Sequence, residues 1–474
     1  MDTHRQVLDR LRSSFKSGVT IPEQFRRTQL SKLTAMIKEN EELILKALHK
    51  DLAKPKFEAV LSELDLVSNE LHCATTNLSS WMKPEYVSKN LATRLDDCFI
   101  RREPLGVVLI IGPWNYPLQL LMVPLIGAIA AGNCVIIKPS EVSAATDSLI
   151  AELIPKYLSQ DCYAVVRGGA EETTALLQNR FDHIFYTGSQ TVARSIMQAA
   201  LVHLTPVTLE LGGKCPCFIY GRVNMEAAAR RLVWAKFFNA GQSCVAPDYV
   251  LCTKATLDSL LPAVCQVLEE FYSKEPQTSP DFSRIVSPKH WSRLMELLKR
   301  SSSKVVVGGQ GKEEDKYIGG LHGPMCGHSG SPTVVVDVAE DDALMQEEIF
   351  GPILPFITME SLEEGIEFVN RREKALALYV FSDESSVVNT VMENTSSGGF
   401  CSNDGILHMT LPRASGWGSY HGHWGFETFS HRRACMLRGW AMERLNGLRY
   451  PPYQENKLSW LRWTASPKPS CSLM

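Results

Sequence analysis

From Met1 to about Trp81, apolar positions recur at three- and four-residue spacing between polar faces such as Lys38-Glu39-Asn40-Glu41-Glu42. This period predicts helices packed on a domain. Between about Ala92 and Arg102 the pattern changes, and Cys98, Phe99 and Ile100 sit among charged residues on both sides, as in an exposed strand. Gly106-Val107-Val108-Leu109-Ile110-Ile111 is a β-branched run followed by a Pro/Gly turn. A helical stretch from Leu118 to Ala131 comes next, then Cys134-Val135-Ile136-Ile137, ending at Lys138. Strand, helix and strand in about thirty residues make a βαβ unit, and strands apolar on both faces imply a parallel sheet covered on both sides.

The alternation recurs with Ala164-Val165-Val166, a helix from Glu171, Ile184-Phe185-Tyr186, a helix from Gln190, and Val207-Thr208-Leu209. The expected class is α/β, beginning with a doubly wound parallel-sheet domain. A second α/β region runs from about Leu211 to Gly399, with strands at Tyr249-Val250-Leu251, Lys304-Val305-Val306-Val307 and Thr333-Val334-Val335-Val336. After Gly405 the chain turns rich in Gly, His and aromatics, and beyond Tyr450 the Pro451-Pro452 pair marks a tail. Leu105 through Ile137 carries no charged side chain and is long enough to span a bilayer. Gly112, Pro113, Pro117 and Pro124 break it into shorter pieces, so a core strand and helix are expected instead.

Composition narrows the function classes. A chain of 474 residues calls for two or three co-folded units. Its 45% hydrophobic and 21% charged residues exclude a disordered chain. Lys plus Arg number 49 against 52 Asp plus Glu, with no dense basic stripe, so nucleic acid is not an expected partner. The 13 cysteines are scattered rather than spaced as a disulfide scaffold, and are read as reduced cytosolic thiols. Met1 to Arg12 lacks the apolar core of a signal peptide.

Four segments carry a resemblance when taken together: Pro113-Trp114-Asn115-Tyr116-Pro117, Leu209-Glu210-Leu211-Gly212-Gly213-Lys214, Asn239-Ala240-Gly241-Gln242-Ser243-Cys244, and Glu347-Glu348-Ile349-Phe350-Gly351-Pro352. In this order and spacing the chain resembles the aldehyde dehydrogenase superfamily over nearly its whole length. Its short N-terminus, Lys138-Pro139-Ser140-Glu141 and the ending Gly447-Leu448-Arg449-Tyr450-Pro451-Pro452 are similar to the class 3, fatty aldehyde dehydrogenase branch. The resemblance implies a dinucleotide-binding domain from 1–81 and 103–210 and a catalytic domain over 211–404. It also implies a strand-based oligomerisation element from 82–102 and 405–450, and a lipid-anchoring tail over 451–474. A homodimer is the implied assembly.

Oxidation of an aldehyde by hydride transfer first needs a tetrahedral adduct. By resemblance Cys244 supplies it, forming a thiohemiacetal and then a thioester; a helix N-terminus or nearby cation would lower its pKa and sharpen the nucleophile. Asn115 is implied as oxyanion donor, together with a backbone N–H. Glu210 is implied as the base that activates water, its pKa raised by desolvation. On composition alone each has a plainer role: an inert buried thiol, an Asn in a turn, a surface Glu.

No G-x-G-x-x-G follows the first strand, so the ordinary Rossmann fingerprint is missing. Thr187-Gly188-Ser189 before a helix is similar to the family's own arrangement at a helix N-terminus, with Ala193 where the family usually has Gly. Lys138, Glu141 and Glu348 are implied to hold ribose hydroxyls, and Trp114 and Phe350 to line the groove of an NAD or NADP cofactor.

Two departures stand out. The family's Pro-Phe-Gly-Gly segment is missing where Met409-Thr410-Leu411-Pro412-Arg413 runs into Ala414-Ser415-Gly416. Gly319 to Ser331 has the look of an insertion; its His322, Cys326 and His328 lack a fourth ligand, and no metal is expected. The terminal Cys471-Ser472-Leu473-Met474 matches a farnesylation signal, and Trp460 and Trp463, with Lys457 and Arg462 nearby, either seat in a lipid interface or pack on the body. A tail on the cytoplasmic face of the plasma membrane, endoplasmic reticulum or a lipid droplet would meet medium- to long-chain aldehydes. The rival readings are a membrane-tethered binding protein of weak activity and a thioesterase using Cys244 alone.

Overall fold

The computed structural model describes residues 4–319, 332–410, 420–441 and 443–465. The His322, Cys326 and His328 segment, the Pro412-to-Gly416 junction and Cys471 lie outside the described residues.

The N-terminal helical pattern forms helices at His4–Lys16, Glu23–Glu39, Glu41–Leu52, Lys56–Ala59 and Asp65–Trp81, with a π-helical turn at Val60–Leu64. Two strands follow, β1 (Glu85–Tyr86) and β2 (Asp97–Pro104). The next five are β3 (Val107–Ile111), β4 (Cys134–Lys138), β5 (Tyr163–Val165), β6 (His183–Gly188) and β7 (Val207–Leu211). They form one sheet in the order β5-β4-β3-β6-β7, with every pair parallel. All ten residues of β3 and β4 are buried, as a sheet covered on both faces requires. Helices His4–Lys16 and Gln119–Ala131 both pack against β3 and β4.

The uncharged stretch is the centre of this core: strand, turn, helix, strand. Among the described residues no helix is long and apolar enough to cross a membrane. The expected helical stretch from Leu118 to Ala131 forms as the helix Gln119–Ala131, which runs through Pro124. One backbone hydrogen bond is lost there, but all thirteen residues are buried and the packing holds the helix together.

A second sheet combines β8 (Pro216–Ile219), β9 (Tyr249–Cys252), β10 (Lys304–Val307), β13 (Thr333–Val336), β14 (Ile353–Thr358), β15 (Ala377–Phe381) and β16 (Gly399–Ser402). Its order is β10-β13-β14-β9-β8-β15-β16, parallel except where β10 meets β13. A hairpin of β11 (Gln310–Lys312) and β12 (Tyr317–Gly319) stands beside it. The last strand, β17 (Ser430–Leu437), pairs antiparallel with β2 from Ser430 opposite Pro104 to Leu437 opposite Asp97. With β1 they make a three-stranded sheet. Ten described cysteines are free thiols, as reduced cysteines would be, whereas Cys265 is disulfide-bonded.

Helix His423–Thr428 packs on Gln119–Ala131 at their glycines: a Cβ on Gly127 would lie 2.9 Å from the carbonyl carbon of Gly425. Gly127→Val must separate the two helices, and overpacking of this kind costs about 1–3 kcal/mol. A lower thermal midpoint is expected in calorimetry. Gly439→Ala, where a Cβ meets nothing within 4 Å, should leave the midpoint in place.

Candidate active site

Parallel strands decide where the site lies. β3, β6 and β7 run in the same direction as neighbours, so the segments at their carboxyl ends emerge along one edge. These are Pro113-Trp114-Asn115 after β3, Gly188-Ser189 at the end of β6, and Glu210 near the end of β7, paired with Thr187. β3 has β4 on one side and β6 on the other. Connections therefore leave in opposite directions, and a crevice opens at that switch point. A cavity of about 610 Å³ occupies it. Trp114, Asn115, Gly188, Ser189, Glu210, Cys244, Glu348 and Phe350 all line the cavity; Lys138, Glu141 and Ala193 do not.

Cys244 reaches the cavity on a loop with unusual backbone. Beyond helix Met225–Phe237, Asn239, Ala240 and Gly241 take φ of 53°, 53° and 73°. A Cβ on Gly241 would lie 2.4 Å from the carbonyl oxygen of Gly351, so only glycine fits this approach. The left-handed Asn239 is fixed from two sides. Its N–H donates to Glu58 Oε2 at 3.0 Å, and its amide donates to the carbonyls of Asn115 at 2.9 Å and Gln242 at 3.2 Å. Gln242 donates to the carbonyls of Asn239 (3.0 Å) and Arg284 (2.9 Å) and accepts from Val286 N–H (2.9 Å). Cys215 Sγ donates to the Cys244 carbonyl at 3.3 Å. Asn115 is buried and donates through Nδ2 to the Gln242 carbonyl at 3.1 Å, which ties the amide to the loop that carries Cys244.

The charges around the thiol reverse one sequence expectation. Burial pushes the Cys244 thiol up to about 12, and the Glu348 and Glu210 carboxylates add to it; the backbone N–H groups of Cys244 and Val245 oppose them. Glu348 is itself pushed up to about 8 by burial and the charge of Asp248, against the Gly213 N–H, Lys214 and Arg293. Its carboxylate lies against Gly212, where a Cβ would meet Oε2 at 2.3 Å. Lys214 bonds Asp248 and donates to the carbonyls of Leu344 (2.7 Å) and Glu347 (3.0 Å), while Asp248 accepts from Ile349 N–H at 3.1 Å. These bonds fix the segment that carries Glu348.

The donor set on the other side of the crevice fits a dinucleotide. Ser189 caps helix Gln190–His203, its Oγ accepting from Val192 N–H, and Ser189 and Gln190 line the cavity. Such a terminus offers backbone N–H groups and a positive dipole end to a pyrophosphate. Gly188 keeps the approach open, since a Cβ there would meet Tyr186 Oη at 2.2 Å. Trp114 packs edge-on against Phe350 at 5.3 Å and against His290 at 4.7 Å, forming an aromatic wall. Lys138, by contrast, is buried and donates to Glu141 Oε2 and to the Pro139 carbonyl, each at 2.9 Å. Ala193 is buried in the helix, away from the cavity.

Sequence reading missed several participants. Tyr420 and His421 line the cavity from the Gly- and His-rich stretch, Lys214 lies inside a quoted motif without an assigned role, and Lys54, between two N-terminal helices, and Glu63, in the π-helical turn, carry no spacing signal. Among the described residues no group of three or more His, Cys, Asp or Glu is placed to hold a metal.

A thiol, an amide and carboxylates meet at the switch point of a parallel sheet and face a capped helix N-terminus suited to a pyrophosphate, the arrangement of a dinucleotide-dependent α/β enzyme. The chain belongs to the aldehyde dehydrogenase family, whose model matches residues 4–435. It is 51% identical to aldehyde dehydrogenase family 3 member B1 of Homo sapiens, over 97% of each chain. It is 50% identical to family 3 member B2 of Mus musculus, over 99% of this chain and 96% of that protein. The substrate-bound AldH of Staphylococcus aureus superposes with a TM-score of 0.91 at 39% identity, covering 98% of this chain and 99% of that one. The α/β class and the enzymatic reading of the sequence are both borne out.

The electrostatics give a signed pH prediction. Because the thiol titrates near 12, iodoacetamide labelling of Cys244 should climb without a plateau from about pH 6.5 to about pH 9.5, as the thiolate fraction grows. Above about 8 ionised Glu348 repels the thiolate, so Glu348→Gln should label faster there and not below about pH 7. Peptide mapping of labelled Cys244 measures both; a plateau near neutrality would show a thiolate already formed.

Proposed function

We propose that this chain oxidises medium- to long-chain aliphatic aldehydes to carboxylic acids, with NAD or NADP as hydride acceptor, at the cytoplasmic face of a membrane or lipid droplet. The observation that carries the chemistry is the convergence of Cys244, Asn115 and Glu210 on one cavity. The Cys244 thiol passes its proton to Glu210 or Glu348, the two carboxylates whose charge it feels. Sγ then bonds to the aldehyde carbon while the C=O π pair moves to oxygen. That oxyanion accepts from the Asn115 amide and the Cys244 backbone N–H. An amide carries two N–H groups; one is committed to the Gln242 carbonyl at 3.1 Å, and the other serves the substrate. When bound, the nicotinamide supplies the acceptor for the hydride that leaves the adduct carbon. A thioester remains on Cys244. Glu210, with the thiol's proton released to solvent, takes a proton from water, whose oxygen bonds to the acyl carbon as the C–S bond breaks; that proton passes on to the departing Sγ, which restores the Cys244 thiol, and the acid leaves the site.

For the cofactor, Gly188, Ser189 and the helix terminus beyond them would take the pyrophosphate, and Trp114 and Phe350 would flank the groove. By resemblance, Lys138, Glu141 and Glu348 would face the ribose hydroxyls, with Ala193 supporting the helix. A tethered protein of weak activity is not favoured, because nucleophile, amide and carboxylate are all in place.

The chain-length reading draws support from apolar lining at Tyr116, Leu120, Val245, Leu376 and Tyr420. Helix Glu455–Ala465 supports the lipid surface: Trp460 is 62% and Trp463 51% exposed, with their indoles edge-on at 6.1 Å. Indoles so exposed suit a lipid interface better than a packed body. One prenyl chain on Cys471 binds a membrane weakly, and these indoles are its second signal. The same proposal includes a homodimer. It is supported by β17 at the edge of its sheet and by exposed Met197, Leu201, Val202 and Leu204 at helix Gln190–His203, an apolar patch of the kind that partners cover.

Purified protein with NAD or NADP should turn over hexadecanal with a kcat/KM roughly tenfold or more above that for acetaldehyde, and Cys244→Ala should abolish growth of reduced-cofactor absorbance. A clear preference for acetaldehyde would sink the chain-length reading. In cells, Cys471→Ser should move the protein from the membrane fraction to the soluble one; unchanged fractionation would count against prenylation.

A further inference from the structure

We propose that the buried ion pair Lys54–Glu63 is a positioning device that aims the Asn115 amide at the reacting oxygen, an inference that rests on the oxyanion role of Asn115. Both side chains are 0% exposed, with Nζ and Oε1 2.5 Å apart. Neither lines the cavity. An ion pair this deep is a poor source of stability, since apolar residues of similar volume generally do as well. Its remaining hydrogen-bonding capacity shows what it does hold.

Glu63 Oε2 accepts from the N–H groups of Leu118 (2.9 Å) and Gln119 (3.1 Å), at the start of helix Gln119–Ala131. Lys54 Nζ donates a second bond to the Asn115 carbonyl at 3.2 Å and lies 4.4 Å from the centre of the Tyr116 ring. The pair therefore grips the chain on both sides of Tyr116-Pro117. The Asn115 carbonyl also accepts from Asn239 Nδ2 at 2.9 Å, so two donors fix the residue's backbone. Its side chain is left pointing at the Gln242 carbonyl, two residues before Cys244.

Glu63 belongs to the π-helical turn Val60–Leu64, a local widening of a helix that recurs at functional sites. Glu58, just ahead of that turn, accepts from Asn239 N–H and from Ser283 Oγ, each at 3.0 Å. One N-terminal segment thus holds both the residue that carries the oxyanion donor and the loop that carries the nucleophile. A shift of about 1 Å in such a donor can cost about a hundredfold in rate.

The test uses the full-length enzyme and Lys54→Met/Glu63→Gln, which removes both charges while Gln keeps accepting from the helix N–H groups. The expected result is a folded protein with cofactor KM within about twofold of wild type and kcat for octanal lowered roughly ten- to a hundredfold. In an Asn115→Ala background, the same pair of substitutions should add less than about a twofold loss, because the effect runs through Asn115. An unchanged kcat, or an equal loss in both backgrounds, overturns the proposal. If Asn115→Ala alone leaves kcat intact, the oxyanion reading fails and takes the positioning role with it; if Asn115→Ala is impaired but the pair variant is not, only the positioning role falls. Should the pair variant not fold, Glu63→Gln alone in the same cycle decides by the same criteria.

Discussion

The parallel registers of β3 with β6 and of β6 with β7 set Ile111 beside Tyr186 and Thr187 beside Glu210. Parallel strands cannot be joined by tight turns, so each must leave the sheet at its carboxyl edge and return through a crossover. The three cavity-lining segments of the first domain are what that edge exposes: Asn115, the Gly188-Ser189 turn and Glu210. The second sheet closes the crevice with Cys244, on the connection between β8 and β9, and with Glu348, just before β14. Had the first sheet been antiparallel, these ends would alternate between opposite edges.

Within the crevice, burial opposes the chemistry as much as it enables it. The thiol and Glu348 are both pushed up by desolvation, and each carboxylate discourages the thiolate. At rest the thiol therefore keeps its proton. What makes the arrangement workable is the fixed set of donors around it: the N–H groups at Cys244 and Val245, the Asn115 amide, and the Gly213 N–H on Glu348. Fixed dipoles in a dry site stabilise developing charge without the reorganisation that water would need. The strained Asn239-Ala240-Gly241 turn belongs to the same economy, since left-handed non-glycine residues persist only where surrounding contacts over-determine them.

Much of the fold was legible. The apolar runs at Val107, Cys134, Ile184 and Thr333 became strands within a residue or two, because strands buried on both faces must be apolar throughout. β17 was not legible: Ser430 to Leu437 carries His431, Arg432 and Arg433 and mostly faces outward, and only its eight-residue pairing with β2 makes it a strand. The helix expected from Leu118 to Ala131 was legible despite Pro124, whose breaking tendency is local and is outweighed by complete burial of the helix.

The order of residue types along the chain determined the α/β class and the family, and it singled out Cys244, Asn115 and Glu210 as candidates, because those depend on side-chain chemistry and short spacings. The tertiary structure alone decided the thiol's environment and the partners that hold the site. Lys54 reaches Asn115 across 61 positions and Glu58 reaches Asn239 across 181. Desolvation and charge proximity belong to the packed chain, and no local pattern of residues encodes them.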